Sequence, residues 1–82
     1  MNDKEYYLHN IAAKFILGEN IDVELEGKPA EIDTLYNLLT TSRKLREALI
    51  KEESISVISK LLEDKKILTK KFEELSNVTW RL

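Results

Sequence analysis

Two stretches of the chain, LYNLLTTSRKLREALI (residues 35–50) and ISKLLEDKKILTKKFEEL (residues 58–75), repeat large side chains at alternating spacings of three and four. This 3.5-residue period is typical of helices that pack side by side along a shared seam. The first seam consists of Leu35, Leu38, Ser42, Leu45 and Leu49, and the second of Ile58, Leu61, Lys65, Leu68, Phe72 and Leu75. The pattern predicts an antiparallel helical hairpin with helices at about residues 29–51 and 54–76.

A register for this hairpin follows when the two seams are folded against each other about a turn near Glu53. The predicted pairs are Leu49 with Ile58, Leu45 with Leu61, Leu38 with Leu68, and Leu35 with Phe72. The single polar position in the middle of each seam then coincides, with Ser42 opposite Lys65. A small Ser leaves room for the Lys stem to run outward, so we interpret this level as a polar layer that sets the register. A functional Lys65 is the alternative.

The remaining segments predict one more helix and two short strands. A helix at about residues 3–17 follows from apolar side chains on one helical face, namely Leu8, Ile11, Ala12, Phe15 and Ile16. Alternation of apolar and acidic residues predicts a strand at about residues 20–26, and Val78, Trp80 and Leu82 alternate in a second one at about residues 78–82. Residues 1–82 are therefore expected to form a single, mostly α domain with a minor β component, in which the two strands pair as a ribbon.

Composition restricts the class of protein. A net charge of -2 argues against a general nucleic-acid binder, which normally carries an excess of bases. The absence of cysteine excludes disulfides, thiolate catalysis and cysteine-ligated zinc. No apolar run approaches the roughly 20 residues that cross a bilayer, and the first residues do not resemble a signal peptide. We therefore expect a cytoplasmic protein without membrane insertion.

The residue types needed for catalysis do not occur together in the sequence. His9 is the only histidine, and we interpret it as a structural residue rather than a metal ligand. The serines have no neighbouring base, and Gly18 and Gly27 are isolated, so no phosphate-binding loop is predicted. The expectation is a protein that is not an enzyme and that uses neither cofactor nor metal.

Three aromatic residues near the ends of the chain are the candidate partner-binding residues: Tyr6, Tyr7 and Trp80. Each combines an apolar ring with a polar group, a combination that is enriched at protein interfaces. Burial of such residues is harder to arrange near the termini of a small chain. For Trp80, completion of the core is an equally good alternative.

Four segments carry a resemblance to a known family: YLHNIAAKFILG at residues 7–18, the Ile-x-Val-x-Leu-x-Gly pattern at 21–27, LTTSRKL at 39–45 and VTWRL at 78–82. Together with the length, they resemble the lysis-inhibition accessory proteins of T-even-type bacteriophages. The resemblance implies a protein of the host cell cytosol that delays lysis by binding the cytosolic N-terminal part of the phage holin, alongside a periplasmic antiholin. It assigns no binding residue in this chain.

Two other functions stay open at this point. One is an anti-defence sponge that traps a signalling nucleotide in a homo-oligomer, with bases holding the phosphate and Tyr6, Tyr7 or Trp80 stacking on the base. The other is a modulator of a host protein such as the transcription machinery. A chain of 82 residues buries a small core, so homo-oligomerisation is possible in any of these cases.

Overall fold

The computed structural model describes residues 3–20 and 27–82 of the chain. It contains three helices, α1 (Asp3–Ile16), α2 (Pro29–Ile50) and α3 (Ile55–Ser76). Helices α2 and α3 pack against each other as a hairpin, and α1 packs against α2. The predicted hairpin and N-terminal helix are confirmed. None of the helices in the described ranges is long and apolar enough to cross a membrane.

The ends of α2 and α3 follow from local chemistry. Pro29 opens α2, where its missing N–H has no intrahelical partner to lose. Ser54 caps α3 as its hydroxyl accepts a hydrogen bond from the Val57 N–H at 3.3 Å. Between the helices, Glu52 has a φ of 54°, and the Glu53 N–H donates to the Ala48 carbonyl at 2.9 Å. This is a Schellman turn in which a glutamate occupies the left-handed position that usually belongs to glycine.

The α2 seam is buried along most of its length but not at the C-terminal end of α2, beside the turn of the hairpin. Leu35, Leu38 and Leu45 are buried, whereas Leu49 is 55% exposed and Ala48 is buried beside it. A straight helix drifts by about 20° per heptad relative to a 3.5-residue repeat, so two heptads turn the last seam position away from the partner. The buried part of the seam therefore ends before Leu49, the residue that was predicted to pair with Ile58.

The core lies where the hairpin, α1 and the C-terminal tail (residues 77–82) meet. Its buried members are Ala12, Leu35, Leu38, Leu39, Phe72, Val78 and Trp80, with Leu8, Phe15, Ile16 and Leu68 packed against them. One cluster thus holds residues from both seams, as the predicted register requires. The individual pairs of that register stay a prediction.

The predicted strand at residues 78–82 is wrong, because the tail has no strand partner in the described ranges. Its alternation is nevertheless real, with Val78 and Trp80 buried and Thr79 and Arg81 exposed. Side chains, rather than a neighbouring strand, bind its backbone, as described below. The other predicted strand, at about residues 20–26, falls on residues 21–26, which lie outside the described residues, so the proposed two-stranded ribbon is not observed.

Candidate functional site

The C-terminal tail fills the space between α1 and α3 with the indole of Trp80. The indole lies 5.4 Å from the His9 ring and meets the Phe72 ring edge-on at 5.6 Å, measured between ring centroids. The Trp80 side chain is only 7% exposed. Its burial fits completion of the core, the alternative stated for this residue, and leaves no free indole face on which a nucleotide base could stack.

The tail backbone is held by side chains of both flanking helices. The Trp80 N–H donates to the Glu73 carboxylate at 2.8 Å, and the Arg81 N–H donates to His9 Nε2 at 3.0 Å. Further along, the Lys65 ammonium donates to the Leu82 carbonyl at 2.5 Å. These three bonds attach the tail to α1 and α3, and they give three of its backbone groups the kind of partner that a strand would have supplied.

His9 is buried, and both of its ring nitrogens are engaged. Because a backbone N–H can only donate, the bond from Arg81 makes Nε2 an acceptor and places the ring proton on Nδ1. Nδ1 then donates to the Glu5 carbonyl at 2.6 Å. The imidazole therefore joins the first helix to the tail, and neither nitrogen is available for a metal or a substrate. No group of acidic and histidine side chains suited to a metal ion occurs within the described ranges.

Tyr6 and Tyr7 project from the outer surface of the protein. They are 68% and 60% exposed, so both phenol rings are accessible to a partner. The structure does not bring them together with Trp80 into one surface, because the indole is enclosed. A docking role for the two tyrosines stays a prediction.

An apolar groove of about 480 Å³ lies between the three helices and the end of the tail. We call it the inter-helix groove. Helix α1 contributes Ala13 and Ile16, and Leu17 follows directly after it; α2 contributes Ser42, Leu45, Arg46, Leu49 and Ile50, and Lys65 and Leu82 complete the lining. Its volume lies in the range of about 300–1,000 Å³ that is common for ligand sites.

The groove arises from unequal helix lengths. Helix α1 has 14 residues against 22 in each helix of the hairpin, a difference of roughly 12 Å. Four apolar side chains that line the groove consequently remain exposed, namely Leu17, Leu49, Ile50 and Leu82. Scattered exposed leucines are ordinary on protein surfaces, but apolar side chains gathered along one concavity mark an interaction site.

The polar groups in the groove are a serine and two bases. Ser42 is 4% exposed, and its hydroxyl has no hydrogen-bond partner among the described residues. Lys65 and Arg46 supply positive charge, and none of the lining residues is acidic. Ser42 and Lys65 both line the groove, and their predicted pairing at one level of the hairpin stays a prediction. The Lys65 ammonium, however, binds the tail carbonyl instead of extending freely into water.

A second concavity, of about 400 Å³, opens on the hairpin near its turn. Its charged side chains are mixed in sign, with three lysines alternating with three acids, and Lys60 forms an ion pair with Asp64 at 3.8 Å. Exposed pairs of this kind contribute little binding energy. The inter-helix groove is therefore the stronger candidate site.

Sequence reasoning singled out Ser42 and Lys65 for their register but did not identify the rest of the groove. A signal was present in Leu49 and Ile50, which are adjacent apolar residues at the end of α2. Together with the seam they widen the apolar arc of the helix beyond what one partner helix covers.

Comparison of the chain with protein-family models, with curated proteins and with solved structures finds no match.

Proposed function

We propose that the protein is a non-catalytic, protein-binding regulator that docks an amphipathic helical segment of its partner in the inter-helix groove. The observation that carries this proposal is the row of exposed apolar side chains in the groove, formed by Leu17, Leu49, Ile50 and Leu82. Grooves between helices are a common receptor for the apolar face of an added helix.

Charge favours a protein segment as the occupant. The groove has two bases, Arg46 and Lys65, and no acid in its lining, although the whole chain carries a net charge of -2. A segment with an apolar face and acidic neighbours would complement both properties.

The resemblance described above supports one particular partner. In the proposal, the segment is the cytosolic N-terminal part of a T-even-type phage holin, and the protein delays lysis from the host cell cytosol. No covalent chemistry is required for such a role, since occupancy of the segment is itself the regulatory event.

A binding assay with matched variants tests this proposal. A fluorescently labelled peptide of the holin cytosolic segment is titrated with the full chain, and Kd is measured by anisotropy. We expect Leu49→Asp to weaken binding at least about tenfold, since it places a charge in the apolar contact. Leu62→Asp is the control, because Leu62 is similarly exposed but lies outside the groove.

Two results would reject the proposal. One is the absence of binding by protein that circular dichroism shows to be folded. The other is an equal loss of affinity in both variants. Sedimentation equilibrium is run in parallel, because a dimer that Leu49→Asp dissociates would assign the groove to a second copy of the chain instead.

A further inference from the structure

The end of the C-terminal tail forms part of the wall of the inter-helix groove. Trp80 is buried in the core, whereas the two residues after it, Arg81 and Leu82, are exposed. In the described part of the chain, two hydrogen bonds hold these residues. The Arg81 N–H donates to His9 Nε2 at 3.0 Å, and the Lys65 ammonium donates to the neighbouring carbonyl of residue 82 at 2.5 Å. The Leu82 side chain therefore lines the groove because His9 and Lys65 position the tail backbone.

The bond between the tail and His9 depends on the protonation state of the imidazole. A backbone N–H can only donate, so Nε2 accepts with its lone pair, and the ring proton on Nδ1 is donated to the Glu5 carbonyl at 2.6 Å. Uptake of a second proton turns Nε2 into a donor that faces the Arg81 N–H, and neither hydrogen then has an acceptor. An N–H left without an acceptor in a part-buried place is unfavourable. Docking of the tail end therefore strengthens as pH rises and weakens as the ring takes up a proton.

Several charged residues are hydrogen-bonded to His9 or to the tail beside it. In the described ranges these are Glu5 on α1, Glu73 and Lys65 on α3, and Arg81 on the tail itself. The α2 residues in the same core are leucines and carry no charge. Glutamate, lysine and arginine ordinarily change charge outside the interval from about pH 5.5 to about pH 7.5, whereas histidine changes charge within it. Over this interval, His9 is the residue of this group that we expect to gain or lose a proton.

We infer that His9 is a proton-sensitive positioning residue of the groove: its neutral ring keeps Leu82 in the groove lining, and its protonation releases residues 81–82. The consequence for a partner rests on the proposed function, because Leu82 is one of the four exposed apolar side chains that would contact the docked segment. Release of the tail end removes this contact while the helices stay paired. Partner affinity is then lower in mild acid than at neutral pH.

An NMR titration of the free chain tests the coupling between His9 and the tail without any partner. The full chain is labelled with ¹⁵N, and the amide shifts and heteronuclear NOEs of Arg81 and Leu82 are followed from about pH 7.5 to about pH 5.5. The ring protons of His9 report its protonation in the same samples, and circular dichroism checks that the helices persist. We expect the NOEs of Arg81 and Leu82 to fall to those of a mobile chain end as the ring titrates, while the NOE of Trp80 stays unchanged.

Two substitutions of His9 separate hydrogen bonding from titration. His9→Gln places an amide oxygen near the position of Nε2, where it can accept from the Arg81 N–H but cannot be protonated, so the tail end should stay ordered at both pH values. His9→Asn is too short to supply that acceptor, so the tail end should be mobile already at about pH 7.5. Glu73→Gln is the control: it keeps an oxygen for the Trp80 N–H and should retain the pH dependence of the unmodified chain.

The holin cytosolic peptide then measures the effect on docking. Its Kd for the unmodified chain should rise at least about fivefold between about pH 7.5 and about pH 5.5, the equivalent of one hydrogen bond, and less than about twofold for His9→Gln. Any titration of the peptide itself appears equally in both proteins, so the difference between them reports His9.

The possible outcomes separate this inference from the docking proposal. A tail end that stays ordered while the His9 ring is protonated, or a ring that stays neutral down to about pH 5.5, would overturn the inference and leave docking in the groove standing. Release of the tail end without a change in Kd would show that His9 has no role in docking. Absence of peptide binding at either pH would reject the docking proposal, and the NMR titration of the free chain would still decide whether His9 controls the tail.

Discussion

At the residue scale, Trp80 shows how a side chain suited to an interface can complete a core. Its indole contacts His9 on α1 and Phe72 on α3, and its backbone N–H donates to Glu73. The sequence left both partner binding and completion of the core open for Trp80, because the pattern of residues around an aromatic residue near a chain end is the same for both roles. What decides between them is a gap between α1 and α3 that only the assembled helices create.

Two substitutions at Trp80 separate packing from hydrogen bonding. Trp80→Ala is expected to lower the free energy of unfolding by about 3–5 kcal/mol, as large-to-small changes of buried aromatics do. Trp80→Phe should cost less than about 2 kcal/mol, because the indole N–H has no partner among the described residues and its loss breaks no bond. Urea denaturation measures both. Equal losses in the two variants would show that the indole N–H does have a partner.

Glu52 adopts a backbone conformation that glycine would adopt at a lower cost in free energy. Its φ of 54° is costly for an L-residue and free for glycine. Glu52→Gly should therefore stabilise the protein by roughly 1 kcal/mol and raise Tm. Lys51→Gly is the control: Lys51 has a right-handed φ of -81°, so glycine there should destabilise by a similar amount. A fall in Tm for Glu52→Gly would contradict the described turn.

At the element scale, the ends of the helices could be predicted closely from the sequence, whereas the conformation of the tail could not. The predicted ends at residues 29–51 and 54–76 differ by one residue each from α2 and α3, because Pro29 and Ser54 are local signals that act within one turn. Alternation in the tail predicted which side chains are buried, Val78 and Trp80, but not what the backbone binds. Glu73 lies on the helix just before the tail and His9 lies 72 residues away, and both reach the tail backbone only through tertiary packing, so the local alternation does not encode them.

A leucine-to-alanine series tests the seam of the hairpin along its length. Leu38→Ala should cost about 2–5 kcal/mol, because Leu38 is fully buried. Leu68→Ala should fall near the lower end of that range, since Leu68 is only partly buried. Leu49→Ala should cost less than about 1 kcal/mol because its side chain is mostly exposed. Chemical denaturation measures the series, and a large loss at Leu49 would show that the seam closes over its full length.

At the scale of the whole molecule, one short helix and one tail cover part of a longer hairpin. Leu17, Leu49 and Ile50 remain exposed where that cover ends, and the groove between them carries the cations Arg46 and Lys65. The periodicity of each helix predicted its own apolar face. The length over which α1 covers α2 depends on tertiary packing, so the groove itself could not be predicted from any single element.

Mapping the bound segment on the protein by NMR distinguishes docking in the inter-helix groove from docking on the outer surface of α1. The full chain, labelled with ¹⁵N, is titrated with the holin cytosolic peptide, and amide shifts are followed by residue. We predict the largest changes at Leu17, Leu49, Ile50 and Leu82, with Tyr6 and Tyr7 unaffected. Changes centred on Tyr6 and Tyr7 would place docking on the outer surface of α1 and contradict the role of the groove.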